Sequence, residues 1–265
     1  MYQVERVSAV LEYINKMGQA GIKGLSEHFG VSMVTIRKDI EELDKRGLVV
    51  KTHGGVISAD RKLSYEIPYM SKSKVHRSTK EGIGKKASEL IEDNDIVYID
   101  AGSTTLEIAK NITRKNVTVI THDIKIAMEI AQQQNAELIV IGGTLERGLY
   151  TLIGGGSSVE QIRKLRVNKS FMGCDGLDLE FGVSNSTIRE VDIKIAVKDA
   201  AECVILATDA SKFGVKRIYS LFGLSEVDKI VTEAVSDTYA QGFAAQSIDV
   251  VLASPGALNA KTDEK

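Results

Sequence analysis

From residue 96 to near the end of the chain, short apolar runs of strand length alternate with stretches of helical periodicity. The runs are Ile96–Asp100, Val117–Thr121, Glu137–Gly142, Ser170–Cys174, Cys203–Ala207, Lys229–Thr232 and Ile248–Leu252. Between them lie helical stretches such as Thr105–Ile112, Ile124–Gln132 and Ile188–Ala200. An unbroken apolar run suits a strand buried on both faces, and intervening helices carry the chain back to start the next strand in the same direction. The pattern therefore predicts an α/β fold with a largely parallel sheet covered on both sides.

The chain of 265 residues is long enough for a second domain. The first 57 residues follow a different pattern. Val4, Val7, Leu11 and Ile14 recur at helical spacing ahead of Gly18 and Gly21, and Leu25 to Phe29 gives a short second helix stopped by Gly30. Ser32 is a good N-cap for a third helix, whose Ile36, Ile40 and Leu43 form one apolar stripe ending near Gly47. Leu48 to Val50 and Val56-Ile57 read as strands around a Gly54-Gly55 turn. Residues 58–79 are polar, basic and non-periodic, and read as a linker; 80–253 form the α/β domain, and 254–265 a frayed tail.

Composition removes several classes. No apolar run approaches the roughly 18 residues of a membrane span, and the opening MYQVERVSAVLEYI mixes charge with apolar residues unlike a secretory leader. The two cysteines, Cys174 and Cys203, sit in strand-like runs and read as reduced residues of a cytoplasmic protein. No Cys/His spacing suits zinc, so no metal is expected. Charge is unevenly spread. Residues 1–80 hold 14 Lys and Arg against 9 Asp and Glu, whereas the rest hold 20 against 27. A basic front and an acidic body suit a protein that meets phosphates at one end, although most of the basic excess lies in 58–80.

The segment LSEHFGVSMVTIRKDIEEL has the parts of a helix-turn-helix: a support helix, a tight turn and a second helix for the major groove. With Val31, Ile36, Ile40 and Leu43 turned inward, Ser32, Met33, Thr35, Arg37 and Lys38 are left for DNA. Arg can bond guanine bidentately, and Thr can use its methyl or hydroxyl on base edges. Lys38 and the hairpin residues Lys51, Thr52, His53 and Gly54 suit phosphate contacts, which fix register.

The α/β part offers a second site. Asp100-Ala101-Gly102-Ser103-Thr104-Thr105 joins a strand to a helix, and its free amides and helix dipole can either hold an anion such as phosphate or simply cap the helix. Other strand ends carry similar chemistry: Thr121, Gly142-Gly143-Thr144, Asp175-Gly176, and Asp209 with Lys212. Ligands of open α/β sheets bind beyond the carboxyl ends of strands. Lys194 either supplies a cation there or pairs with Glu190 one helical turn away.

The pattern Val31-Ser32-x-x-Thr35-Ile36-Arg37-Lys38-Asp39-Ile40-x-x-Leu43-x-x-x-Gly47, followed by His53-Gly54-Gly55, resembles the DNA-binding signature of the DeoR family of bacterial sugar-metabolism regulators. The resemblance extends to about Leu252. It implies a winged helix-turn-helix followed by a sensor domain resembling ribose-5-phosphate isomerase. It also implies double-stranded operator DNA as partner and a phosphorylated sugar or related metabolite as effector, with no resident cofactor. The effector positions it implies are Asp100, Gly102, Ser103, Thr104, Thr105, Thr121, Gly142, Gly143, Thr144, Asp175, Gly176, Lys194, Asp209 and Lys212. Two departures adjoin that site: Cys174 stands where alanine is usual, and His122-Asp123 where Asn and a small residue are common. Cys174 is either a small core residue or a sign of a different ligand. Paired operator half-sites call for a homodimer or homotetramer, with the sensor domain as the expected interface. A second reading is a sugar-phosphate isomerase or acyl-type transferase with an appended module, using Asp175, Lys194 and Asp209 for proton transfer. The winged helix separates the two, since an isomerase does not need one.

Overall fold

The structure, a computed structural model, describes residues 3–46, 48–52, 55–58, 73, 76–146 and 148–253. Most of the expected linker 58–79 and the whole tail 254–265 lie outside the described residues. The chain divides into two units, Met1–Glu66 and Ile67–Lys265.

In the first unit, α1 (Gln3–Met17), α2 (Ile22–Phe29) and α3 (Met33–Lys45) pack with three short strands, β1 (Gln19–Gly21), β2 (Val49–Thr52) and β3 (Gly55–Ser58). Val7, Val10, Ile14, Leu25, Ile36, Ile40, Leu43, Val49 and Val56 form the core, with Leu11 and Val31 partly buried against it. The turn after α2 is set by Gly30 in the left-handed region at φ +62°, which L side chains rarely adopt. The antiparallel sheet has the order β1-β3-β2, so the wing has three strands where the sequence suggests two. The extra strand is the segment read as a glycine-rich helix exit. Gln19-Ala20-Gly21 has little intrinsic preference for extended structure, and the strand exists because Gly55 lets β3 approach the Ala20 carbonyl closely.

The second unit carries a seven-stranded sheet. Its strands are β4 (Ile96–Ile99), β5 (Val117–Thr121), β6 (Ala136–Val140), β9 (Val167–Met172), β12 (Ala201–Ala207), β14 (Lys229–Thr232) and β15 (Asp249–Leu252). Their order is β15-β14-β12-β9-β4-β5-β6, and every neighbouring pair is parallel. Alternate residues supply the two faces. Tyr98, Ile120, Met172, Leu206 and Ile230 face α7 (Gly156–Arg163), α8 (Val191–Ala200) and α9 (Asp237–Ala245). Val97, Ile99, Val119, Phe171, Ile205 and Val231 face α4 (Arg77–Ser88), α5 (Ser103–Lys110) and α6 (Ile124–Ile130). Helix α4 opens at Arg77, inside the segment expected to be linker.

Two small antiparallel sheets complete the unit. One is the hairpin β7 (Thr144–Glu146) and β8 (Thr151–Ile153); the other has the order β10 (Gly176–Asp178), β11 (Gly182–Asn185), β13 (Tyr219–Phe222). From β4 the chain runs outward through β5 to β6, then returns to β9 on the other side of β4 and runs outward through β12 and β14 to β15. The order reverses between β4 and β9. At such a switch point the connecting loops diverge and leave a crevice beyond the carboxyl ends of the strands.

Candidate functional site

Helix α3 presents one apolar and one open side. Ser32 caps it, its hydroxyl accepting the Thr35 amide at 3.1 Å, and lies 2.9 Å from the Thr35 hydroxyl. Ser32, expected to face DNA, thus also holds the helix start. Met33, Arg37 and Lys38 are exposed, Thr35 is half-buried, and Ile36, Ile40 and Leu43 are sealed into the core. Arg37 and Lys38 have no ion-pair partner among the described residues. Their cationic heads therefore remain available to a polyanion, as a groove-reading helix requires. Val34, 59% exposed, was not expected at the site. The signal was present: positions 34, 37, 38 and 41 share one helical face, and an exposed branched side chain there can contact a thymine methyl. In the wing, Lys51 is exposed and lies 3.5 Å from Asp44 through Nζ and Oδ2, and Thr52 is half-buried. His53 and Gly54 lie outside the described residues.

In the second unit the crevice between β4 and β9 is a cleft enclosing about 540 Å³ of space, part of it open to solvent. Three adjacent strand ends build it. The turn from β4 into α5 contributes Ala101, Gly102, Ser103, Thr104 and Thr105; the end of β9 contributes Gly173, Cys174 and Asp175; the end of β12 contributes Ala207, Thr208, Asp209 and Lys212. Lys80 of α4, Asn185 of β11, and Glu190 and Lys194 around the start of α8 complete the lining. Gly102 precedes α5 at φ +157°, ψ +165°, an extended form almost confined to glycine, and this presents the amides of the first helical turn to the cleft.

Below the cleft lies a buried ion pair. The Lys194 ammonium donates to Asp100 Oδ2 and, at 3.1 Å, to the Gly173 carbonyl, while the Gly173 amide donates to Asp100 Oδ2 at 3.1 Å. Asp100 is wholly buried and Lys194 nearly so. Burial works against the ammonium, but the carboxylates of Asp100, Glu190 and Asp175 outweigh it and raise its pKa, so Lys194 stays charged. Lys194 therefore pairs across 94 residues with Asp100, and Glu190, the partner in one of the two readings from sequence, acts on it through its charge. Glu190 instead accepts Thr151 Oγ1 at 3.4 Å and Asn185 Nδ2 at 3.3 Å. Asp175 accepts the Ser186 amide at 3.2 Å, and Asp209 caps the short turn Ala210–Lys212 through the Ser211 amide at 3.2 Å.

Of the expected effector positions, Gly102, Ser103, Thr104, Thr105, Asp175, Lys194, Asp209 and Lys212 meet at this cleft. Asp100 lies beneath it, as described. The remaining positions have other duties. Thr121 is fully buried, and its hydroxyl accepts the Asp123 amide at 3.1 Å. Gly142, Gly143 and Thr144 are exposed at the start of the β7–β8 hairpin, outside the cleft. A Cβ on Gly143 would come within 2.5 Å of the Gly154 amide, and one on Gly176 within 2.3 Å of the Val215 carbonyl. Both glycines permit backbone crossings between chain segments, which from the sequence looks the same as making room for a ligand.

The two departures also separate. Cys174 does line the cleft; burial first of all pushes its thiol up to about 11, so it is a neutral, weakly polar wall 3.6 Å from the Thr208 hydroxyl. His122 and Asp123 are wholly buried and do not line it. His122 Nδ1 bonds the Tyr98 hydroxyl at 2.9 Å, and Asp123 caps α6 through the amides of Lys125 and Ile126 at 2.7 and 3.2 Å. Four cleft residues with polar or charged side chains, Lys80, Asn185, Glu190 and Thr208, were not among the expected effector positions. Only Lys80 carried a signal, a cation beside the predicted domain edge.

The comparisons with known proteins agree with this layout. Residues 6–62 match the DeoR-like helix-turn-helix domain, and residues 75–234 the DeoR C terminal sensor domain. The HTH-type transcriptional regulator IolR of Bacillus subtilis is 32% identical over 94% of this chain and 98% of its own length. The putative aga operon transcriptional repressor of Escherichia coli O157:H7 is 30% identical over 94% and 93%. The glycerol-3-phosphate regulon repressor of Escherichia coli is 28% identical over 88% and 92%. Among solved structures, ribose 5-phosphate isomerase from Plasmodium falciparum aligns over 52% of this chain and 53% of its own, with TM-score 0.38 and 18% identity. With 94% of its length matched by regulators and a reading helix at its front, the chain belongs to the DeoR family and is a DNA-binding transcriptional regulator.

Proposed function

We propose that this regulator represses carbohydrate-metabolism genes and that a phosphorylated sugar or polyol in the cleft alters its hold on operator DNA. The observation that carries this reading is the composition of the cleft at the switch point. A helix amino terminus with Ser103, Thr104 and Thr105 shares it with Lys80 and Lys212, a setting for a phosphate. Asp175, Glu190, Asp209 and Asn185 supply hydrogen-bonding groups for hydroxyls on the rest of the ligand. Two relatives bear names that point the same way, one a repressor of the glycerol-3-phosphate regulon and one of the aga operon. Such a protein works in the cytoplasm, as a homodimer or homotetramer matched to paired half-sites.

A ligand shifts the DNA equilibrium only by as much as it favours one arrangement of the protein over another. The test is a thermal-shift screen of the full chain with phosphorylated hexoses, pentoses, amino sugars and polyols, beside inorganic phosphate. At a ligand concentration 100 times its Kd, stabilisation is about 2.7 kcal/mol, an upward shift of a few degrees. Replacing Lys212 with Ala should remove most of the shift. A shift that survives Lys212→Ala unchanged, or a panel that produces none, would rule the reading out.

A further inference from the structure

We infer that Arg6 and Asp39 are positioning residues for sequence reading: their ion pair sets the roll of the reading helix α3, and with it which bases Arg37 can reach. Arg6 lies in the first turn of α1, 33 residues from Asp39. Its Nε donates to Asp39 Oδ2 at 2.6 Å and its Nη2 to Asp39 Oδ1 at 3.0 Å, a two-toothed fork. Asp39 is 1% exposed and follows directly on Arg37 and Lys38, both exposed on the open side of the same helix.

Another polar tie of α3 is exposed and near its end, where Asp44 accepts the Lys51 amide at 3.4 Å and lies 3.5 Å from Lys51 Nζ. The buried contacts of the helix apart from Asp39 are apolar, through Ile36, Ile40 and Leu43. Apolar packing is non-directional, so it tolerates small rolls of a helix about its axis. Reading does not. With side-chain tips about 6 Å from the axis, a roll of roughly 20° moves them by about 2 Å. A hydrogen bond to a base edge holds only within about half an ångström. A planar guanidinium locked to a carboxylate at two points is directional and resists such a roll. A buried ion pair adds little net stability compared with an apolar pair, and its attested use is to fix register.

Helix α1 also carries a second polar pin. Asn15 Oδ1 accepts the hydroxyl of Ser58, the last residue of β3, at 2.7 Å. Arg6 and Asn15 are nine residues apart on α1, about 13 Å along its axis. One helix thus holds the reading helix near its start and the wing sheet near its end, which makes α1 the frame that fixes the two DNA-facing parts relative to each other.

The experiment binds the full-length chain to an array of all double-stranded 10-mers. Arg6→Lys keeps the charge and loses the fork; Asp39→Asn keeps the shape and loses the charge; Glu12→Gln, an exposed change on α1, is the control. In both pin variants the ratio of the best site to the array median should fall at least tenfold. The median itself, which reports phosphate binding, should stay within twofold, because Arg37 and Lys38 are untouched. The Glu12→Gln ratio should stay at the wild-type value. A thermal melt without DNA records whether each variant folds; if Asp39→Asn does not, Arg6→Lys decides. An unchanged ratio in a folded Arg6→Lys overturns the inference. So does a best-site signal that falls only in step with the median, since that is what a purely structural role produces.

Discussion

Asp100 has no exposure to solvent and holds the buried ammonium of Lys194 through one oxygen, Oδ2, which also accepts the Gly173 amide. Removing one member of such a pair strands the other as an uncompensated charge. Asp100→Ala should therefore cost about 3–5 kcal/mol in urea unfolding, whereas Asp100→Leu combined with Lys194→Met should cost far less. A double-variant loss equal to the sum of the Asp100→Leu and Lys194→Met losses measured singly would show that the pair contributes no coupling. Asp123 behaves in the opposite sense. Burial raises its carboxyl to about 6 from an ordinary value near 3.8, so between those pH values the folded chain binds more protons than the unfolded one. Stability then falls as pH rises through that window, by about 2–3 kcal/mol in all. Asn can keep the cap on α6 without ionising. The stability gained by Asp123→Asn should be near zero at pH 4 and approach that full amount at pH 7.

At the scale of elements, the parallel sheet was legible because a strand covered on both faces shows as an unbroken apolar run; Val117–Thr121 and Lys229–Thr232 emerged with their ends in place. The strands β7, β8, β10, β11 and β13 were not legible. Gly-Leu-Asp and Gly-Val-Ser-Asn are too short and too polar for periodicity, and their pairing is decided by partners distant in sequence. The site divides along the same line. The turn from Ala101 to Thr105 is local and could be read, whereas Asn185, Glu190 and Thr208 join it only through folding. Glycines were the misleading signal, since a crossing of two backbones demands glycine as firmly as a bound phosphate does. Gly176→Ala should accordingly lower the melting temperature by several degrees with no ligand present, because its Cβ would meet the Val215 carbonyl. Ser32→Ala, losing the α3 cap, should destabilise the first unit by about 1 kcal/mol.

For the molecule as a whole, net charge is −2, yet the first 80 positions carry an excess of basic over acidic residues. Phosphate contacts there should make operator affinity fall steeply with salt. Lys38→Gln should flatten the slope of log K against log salt by about 0.9 per subunit if Lys38 meets a phosphate. An unchanged slope would place Lys38 off the backbone.

All seven strands of the large sheet point the same way, so every loop that lines the cleft hangs from one rim, while the alternating apolar residues that hold the sheet lie between the rims. Chemical selectivity and mechanical integrity are therefore written in separate stretches of the gene. On the proposed function, drift in the rim loops can retrain the cleft toward a new metabolite while the scaffold, and the code that the front helix reads, are inherited intact. On the same proposal, grafting the three rim segments of a relative, together with its residues at positions 80, 185, 190 and 194, onto this chain should give a regulator with its old DNA target and a new effector.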